Sequence, residues 1–490
     1  MCSSDLETKE GTRDVGAGFG YDSPKILAVP VDYRTDDFGV AVGYQGERLQ
    51  ARLAYDGSVF DNGHDAITWA NPGIGPATGR IAESPDNQFH QLSAQLGYQL
   101  SERTRLGAKF ARGRMTQDQS FLPYSTSTAI PTGNLNGEVD TTLAKLELNS
   151  RPMPRLRLDA SYTFSDRDNN TPVNSYAYLL TDYAVSPGTR MNRPYSFTQN
   201  LWRLKAGYQF GNGADLSAGF DNDKMERTYQ QAEETEDRTL WAKLKLQSLE
   251  SLETTLKLSH ADRDASTYNP TAYGSPETPF MKAFEMADRT RDKAGFDLGW
   301  AARDNINIGL SLDYYKDAYK NMVLGLTEAS GFSATPSFNY AFNDKLSASL
   351  YYTHEKLKSE QAGREWIGVT PDWVEADSNQ TDTLGLSVNW KAIAKKLDVG
   401  ADLTYSEFTG KMRYPGYTDL PDVNSTLTAL GLHGAYALKD NLSLRLDYRY
   451  EKYEETDWAN VIPATVQTLG VSPANQETHL VFVSVRYTFK

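Results

Sequence analysis

The chain is nearly without cysteine: Cys2 is the only one in 490 residues. That excludes a disulfide framework, a CxxC pair and the CxxCH motif that attaches c-type haem, so this chain holds no haem covalently. It also lacks any run near the ~20 consecutive apolar residues that a membrane-spanning helix needs, and its mean hydropathy is low, −0.57. Helical membrane proteins are thereby excluded. Basic charge is short too, 50 Lys and Arg against 64 Asp and Glu for a formal charge of −14. Nucleic acid is an unsuitable partner, because binding it needs a basic surface. The histidines (His64, His90, His260, His354, His433, His479) show no HExxH and no ligand spacing. No phosphate-cradling loop or nucleophile elbow is present. The acidic run Glu233-Glu234-Thr235-Glu236-Asp237 has the ligand type for calcium but reads first as a solvated surface turn. Nothing marks the chain as an enzyme.

What is present is alternation. From Glu477 to Lys490 one face carries Val481, Val483, Val485, Tyr487 and Phe489, while the other carries Ser484, Arg486 and Thr488, with Leu480 and Phe482 as apolar exceptions. One side suits lipid and the other a wetter interior, and Tyr487 with Phe489 gives the aromatic finish of a barrel's closing strand. About 20 such segments are expected, near 14–22, 36–45, 47–58, 88–99, 102–114, 139–151, 154–166, 198–210, 213–229, 235–248, 251–262, 289–302, 304–316, 331–342, 344–356, 380–393, 395–408, 426–438, 440–452 and 477–489. Tight turns at Gln45-Gly46-Glu47, Leu100-Ser101-Glu102, Gly211-Asn212-Gly213, Asn343-Asp344 and Lys439-Asp440-Asn441 alternate with long polar loops. Sorting loops by length onto two rims is an outer-membrane pattern, with the short rim periplasmic. The expected fold is all-β: a transmembrane antiparallel up-and-down barrel of about 20 strands, in the bacterial outer membrane.

Tyrosines fall at two heights on the apolar face. Tyr55, Tyr162, Tyr314, Tyr352, Tyr405 and Tyr448 come late in strands running toward the long loops, and Tyr44, Tyr98, Tyr208, Tyr436 and Tyr487 come just before short turns or the terminus. These predict two interfacial girdles, with Tyr98 and Tyr448 at opposite rims. The other face is charged: Arg103, Arg105, Lys109, Arg155, Arg157, Arg203, Lys205, Lys243, Lys245, Arg445 and Arg449 alternate with apolar residues. An Arg or Lys facing hydrocarbon at mid-depth costs about 2–4 kcal/mol, so these are expected to line a lumen. Those charges alone permit a diffusion porin or substrate-specific channel as readily as a sheath around another protein.

The start of the chain has neither a basic nor an apolar signal region. Residues 1–13 are expected to be a non-native or disordered leader ahead of a barrel over 14–490. Met1 to Leu6 match the translated end of a common sequencing adapter, which makes this hexapeptide, Cys2 included, an expected artefact of a truncated frame. The strand at 14–22 is then not the natural neighbour of 477–489.

Several segments in order resemble the MtrB/PioB family of decahaem-associated outer-membrane barrels: VDYRTD (31–36), AVGYQG (41–46), SVFDN (58–62), ITWANP (67–72), NRPYS (192–196), EDRTLWAKLK (236–245) and MADRTR (286–291). The resemblance implies a larger barrel of about 26 strands, many members carrying an N-terminal CxxC that is absent here. It implies a sheath that holds and insulates a periplasmic multihaem c-type cytochrome in its lumen. An extracellular multihaem cytochrome commonly docks outside. The cofactor would be the partner's haem, and the other contact would be the lipid bilayer.

Overall fold

A chain that alternates apolar and polar residues satisfies its backbone only by pairing strands, and short turns force each strand to pair with the next. The computed structural model describes residues 2–20, 23–70, 78–123, 129–181, 184–211, 213–272, 281–365, 370–456 and 475–488. Its main sheet holds β1 (Cys2–Gly20), β2 (Ser23–Gln45), β3 (Leu49–Asn62), β6 (Asn87–Ser101), β7 (Thr104–Gln117), β8 (Gly137–Met153), β9 (Leu156–Asn169), β12 (Phe197–Gln209), β13 (Ala214–Arg227), β14 (Glu234–Leu249), β15 (Leu252–Ala265), β16 (Arg289–Arg303), β17 (Ile306–Tyr319), β18 (Gly325–Asn343), β19 (Leu346–Gly363), β20 (Trp373–Ile393), β21 (Leu397–Arg413), β22 (Val423–Lys439), β23 (Leu442–Thr456) and β24 (Gln476–Tyr487). Two small hairpins, β4 (Ala66–Ala70) with β5 (Thr78–Ala82) and β10 (Ser175–Thr181) with β11 (Ala184–Met191), sit inside long loops. The main sheet has 20 strands, all antiparallel, each paired to its neighbour along the chain. No helix among the described residues is long and apolar enough to cross a membrane, which leaves strands unaddressed.

The rims differ as expected. Connections at 46–48, 102–103, 154–155, 210–213, 250–251, 304–305, 344–345, 394–396 and 440–441 are two to four residues long and all lie on one rim. At the opposite rim the strand ends are joined over longer stretches of sequence, from Asn62 to Asn87, Gln117 to Gly137, Asn169 to Phe197, Ala265 to Arg289 and Thr456 to Gln476.

Three expectations need correction. The first strand starts at Cys2, and Cys2 pairs with Val40, so the stretch taken as a leader runs along β2 as a ladder. Of the segment expected as a spanning strand, 14–22, the described part instead forms the far end of that hairpin, where Gly20 meets Ser23, and residues 21–22 lie outside the described residues. Polar Lys9, Glu10 and Thr12 can still donate and accept main-chain bonds, and pairing rather than alternation places them. The acidic run is less freely solvated than expected: Glu233 stays in the bend, but Glu234 to Asp237 head β14, where cations surround them, with Lys224 3.1 Å from Glu234, Arg263 2.7 Å and Arg289 3.0 Å from Asp237, and Arg238 paired with Glu236. Phe489, expected to close the aromatic signature, lies outside the described residues. No ladder joins β24 to β1 among the described residues.

Register sorts every side chain onto one of two faces, because directly opposed residues share a face. Leu158, Ala206, Ala218, Ala242, Leu258, Ala294, Tyr314 and Phe332 form one unbroken row from β9 to β18. Leu156 and Ala160 lie on the same face as Leu158. On it Leu240, Leu258 and Val483 are 62–65% exposed. Buried apolar side chains are few and mostly small, such as Ala54, Ala111 and Ala261. Such a sheet places its apolar surface outside rather than in a core, as a lipid-facing wall requires.

The tyrosines keep two heights. Tyr44, Tyr98, Tyr208 and Tyr436 stand two to four residues from a short turn, and Tyr487 pairs with Leu442, the first residue after one. Tyr55, Tyr162, Tyr314, Tyr352, Tyr405 and Tyr448 stand seven to nine residues away. Four of the upper set reach a polar group on the next strand: Tyr55 and His90 Nδ1 are 2.9 Å apart, Tyr448 and His479 Nδ1 2.8 Å, Tyr162 donates to Asn200 at 2.6 Å, and Tyr352 donates to Asp382. An apolar ring with a wet tip is what an interface selects.

Candidate functional site: the charged face

The second face is built by the same alternation, read one residue out of phase. Arg105 donates to Gln50 at 2.7 Å. Arg157 pairs with Asp215, and Lys205 lies 3.6 Å from Asp159. Lys245 meets Glu253 at 2.7 Å, Arg445 meets Asp447 at 2.7 Å and Arg449 meets Glu451 at 2.6 Å. Lys109, Arg203 and Lys243 have no carboxylate within 4.0 Å among the described residues. Arg103 and Arg155 stand apart from the others, in the two-residue turns 102–103 and 154–155 at the rim rather than in the wall.

Several members of this face escaped the sequence reading. Arg52 alternates with Ala51 and Leu53, Lys145 with Ala144 and Leu146, Lys257 with Leu256 and Leu258. The period-2 signal was present at each. The register adds what alternation cannot: Arg52, Gln95, Lys109 and Lys145 lie side by side across β3, β6, β7 and β8. Lys243 directly opposes Lys257, which is held by Asp297 at 2.6 Å.

Aromatic residues on this face lie over the wall rather than projecting from it. A methyl at Gly385 would overlap the Tyr351 ring, and one at Gly219 the Trp241 indole. Glycine is needed there because a ring occupies the space of the missing Cβ. Among the described residues, substantial contacts join strands adjacent along the sheet, except that the β4–β5 hairpin also rests on β1 and β2.

Known proteins resemble this chain in sequence or in fold. The family described as "Putative outer membrane beta-barrel porin, MtrB/PioB" matches residues 3–489. The chain belongs to the MtrB/PioB family. Outer membrane protein MtrB of Shewanella baltica is 30% identical over 98% of this chain and 70% of its own length. At the level of fold alone, the ferric enterobactin receptor PfeA of Pseudomonas aeruginosa aligns at TM-score 0.54, 11% identity, over 100% of this chain and 81% of the receptor. The siderophore receptor PirA of Acinetobacter baumannii gives 0.54 and 11% over 100% and 80%, and the FrpB iron transporter of Neisseria meningitidis 0.51 and 10% over 99% and 87%. The chain is thus an outer-membrane β-barrel protein of the MtrB/PioB family, and these relatives are barrel proteins rather than known enzymes.

Proposed function

We propose that this barrel is a sheath: its charged face lines a lumen filled by a periplasmic multihaem c-type cytochrome, whose haems carry electrons across the outer membrane while the barrel positions and insulates them. The carrying observation is the second face itself, polar or charged on every strand of a 20-stranded sheet. Barrels of about 16–18 strands leave an aqueous channel and those near 22 are plugged, so a lumen of this width leaks unless something fills it. Membership of a family that includes MtrB supports a redox protein as that filler. Here the barrel supplies binding and orientation and the partner's haem supplies the redox chemistry. An extracellular multihaem cytochrome at the long-loop rim would complete the path.

The family description also contains the word porin, and a diffusion channel is the competing outcome. Vesicles containing the barrel alone should leak small ions and transfer no electrons. Adding the cytochrome that co-purifies with it should close the leak and make an enclosed dye reducible from outside. A leak unchanged by any co-purifying haem protein defeats the sheath and leaves the channel.

A further inference from the structure

The charged face is not uniform around the sheet. Within ten residues of the short turns, the wall of β3, β6, β7, β8, β9 and β12 carries seven cations at ladder positions (Arg52, Arg105, Lys109, Lys145, Arg157, Arg203, Lys205) against three carboxylates (Asp56, Glu147, Asp159). The wall of β17–β22 carries one cation, Lys391, against Asp313, Glu355, Asp398 and Asp402. The two walls lie ten strand positions apart, half the width of the 20-stranded sheet.

Within the first wall the cations crowd. Lys109 directly opposes Lys145, and Arg52 stands two strands further along the same row. Arg105 joins them around a recess of about 570 Å³ whose lining includes Gly97 and Gly107. Like charges placed directly opposite destabilise a sheet, and among the described residues only Lys145 of this cluster has a carboxylate within ion-pair distance, Glu147 at 2.5 Å. Such a cluster is stabilised by an anionic surface brought against it. Gly107 leaves that surface room beside the backbone, since a methyl there would meet Glu147 Cβ only at 3.6 Å, whereas the Arg105 guanidinium lies over Gly97.

We propose that β3–β12 is a docking wall for an acidic face of the lumen's protein occupant, and that the charge difference between the two walls fixes the occupant's rotational orientation. This rests on the sheath reading and adds the chemistry of the partner's surface to it. Charge complementarity of this kind sets register and orientation between partners.

The test uses the full-length barrel in detergent, titrated with the c-type haem protein eluted from the wild-type complex. Arg52→Gln/Lys109→Gln/Lys145→Gln should weaken binding about tenfold or more at low salt and flatten its salt dependence. The control on the other wall, Asp313→Asn/Asp398→Asn/Asp402→Asn, should change it less than about threefold. Arg52→Lys should keep wild-type affinity. Heat-modifiable migration and single-channel conductance confirm that each variant folds, and the salt dependence of wild-type binding is an independent reading that needs no variant. Equal losses from both walls, or salt-independent wild-type binding, overturn the docking wall while leaving the sheath standing. If no haem protein is recovered and the barrel merely passes small anions, the sheath itself fails and the docking wall with it.

Discussion

The wall of β3–β12 and the wall of β17–β22 are alike on one face and unlike on the other. Both show the same apolar outer surface, with Leu96 and Phe110 on the first and Leu350, Leu384 and Leu403 on the second, all more than one-third exposed. Both use two- to four-residue turns on the same rim. Their charged faces diverge, with Arg and Lys on the first wall and Ser, Thr and Gly on the second, as at Gly309, Ser337, Ser349, Thr383 and Thr404. Lipid fixes the outer face of every strand identically, so it cannot produce this contrast. Whatever does so acts from the other side of the sheet.

The largest expected effect tests the shared half of that comparison. Leu96→Arg on the first wall and Leu350→Arg on the second should each cost about 2–4 kcal/mol, because both place a cation in hydrocarbon. Ser349→Arg, one residue away on the other face, should change stability by less than about 0.5 kcal/mol. Denaturant unfolding in lipid vesicles measures all three. A large penalty at Ser349 with none at Leu350 would mean that the two faces are assigned the wrong way round.

These substitutions also show where the sequence was legible. Within lipid depth the two faces of a strand meet different solvents, so alternation is enforced, and turns such as 344–345 and 440–441 fell where the residues placed them. Beyond the upper tyrosines both faces are wet, and the alternation has no cause. There the strands run on unannounced: β18 begins at Gly325 rather than near 331, β19 continues to Gly363 rather than 356, and β20 begins at Trp373 rather than 380. The register of β1 against β2 was invisible for the same reason, since a polar ladder held by main-chain bonds leaves no mark on side-chain pattern. For the site, alternation found which residues share the charged face. It could not show that Lys109 opposes Lys145, because opposition depends on two strands at once.

An intermediate effect separates the walls by how they use glycine. On the second wall Gly385→Val should drive the Tyr351 ring off the sheet and cost about 1–3 kcal/mol, as overpacking does. On the first wall Gly107→Ala meets only ordinary contact, the nearest atom being Glu147 Cβ at 3.6 Å, so it should be neutral or stabilising by about 0.4–1 kcal/mol. Thermal unfolding of the two variants measures the difference. Equal penalties would show that the rings do not lie on the second wall as described.

The smallest effect bears most directly on why the walls differ. Lys109→Gln removes one of two lysines held directly opposite each other, so the empty barrel should gain about 0.2–1 kcal/mol. The gain should shrink as salt rises and screens the repulsion. The same change weakens the wall proposed to receive an acidic partner, so the filled barrel should lose affinity where the empty one gained stability. On the second wall Asp402→Asn has no such opposition to relieve, since Gly431 is its directly opposed neighbour on β22, and neither quantity should move appreciably. Opposite signs for Lys109→Gln, read as unfolding free energy of the empty barrel and dissociation of the filled one, are what selection for binding rather than for folding produces. If instead the empty barrel is destabilised by Lys109→Gln, the lysine pair is part of how the sheet holds together, and the contrast between the walls loses its functional meaning.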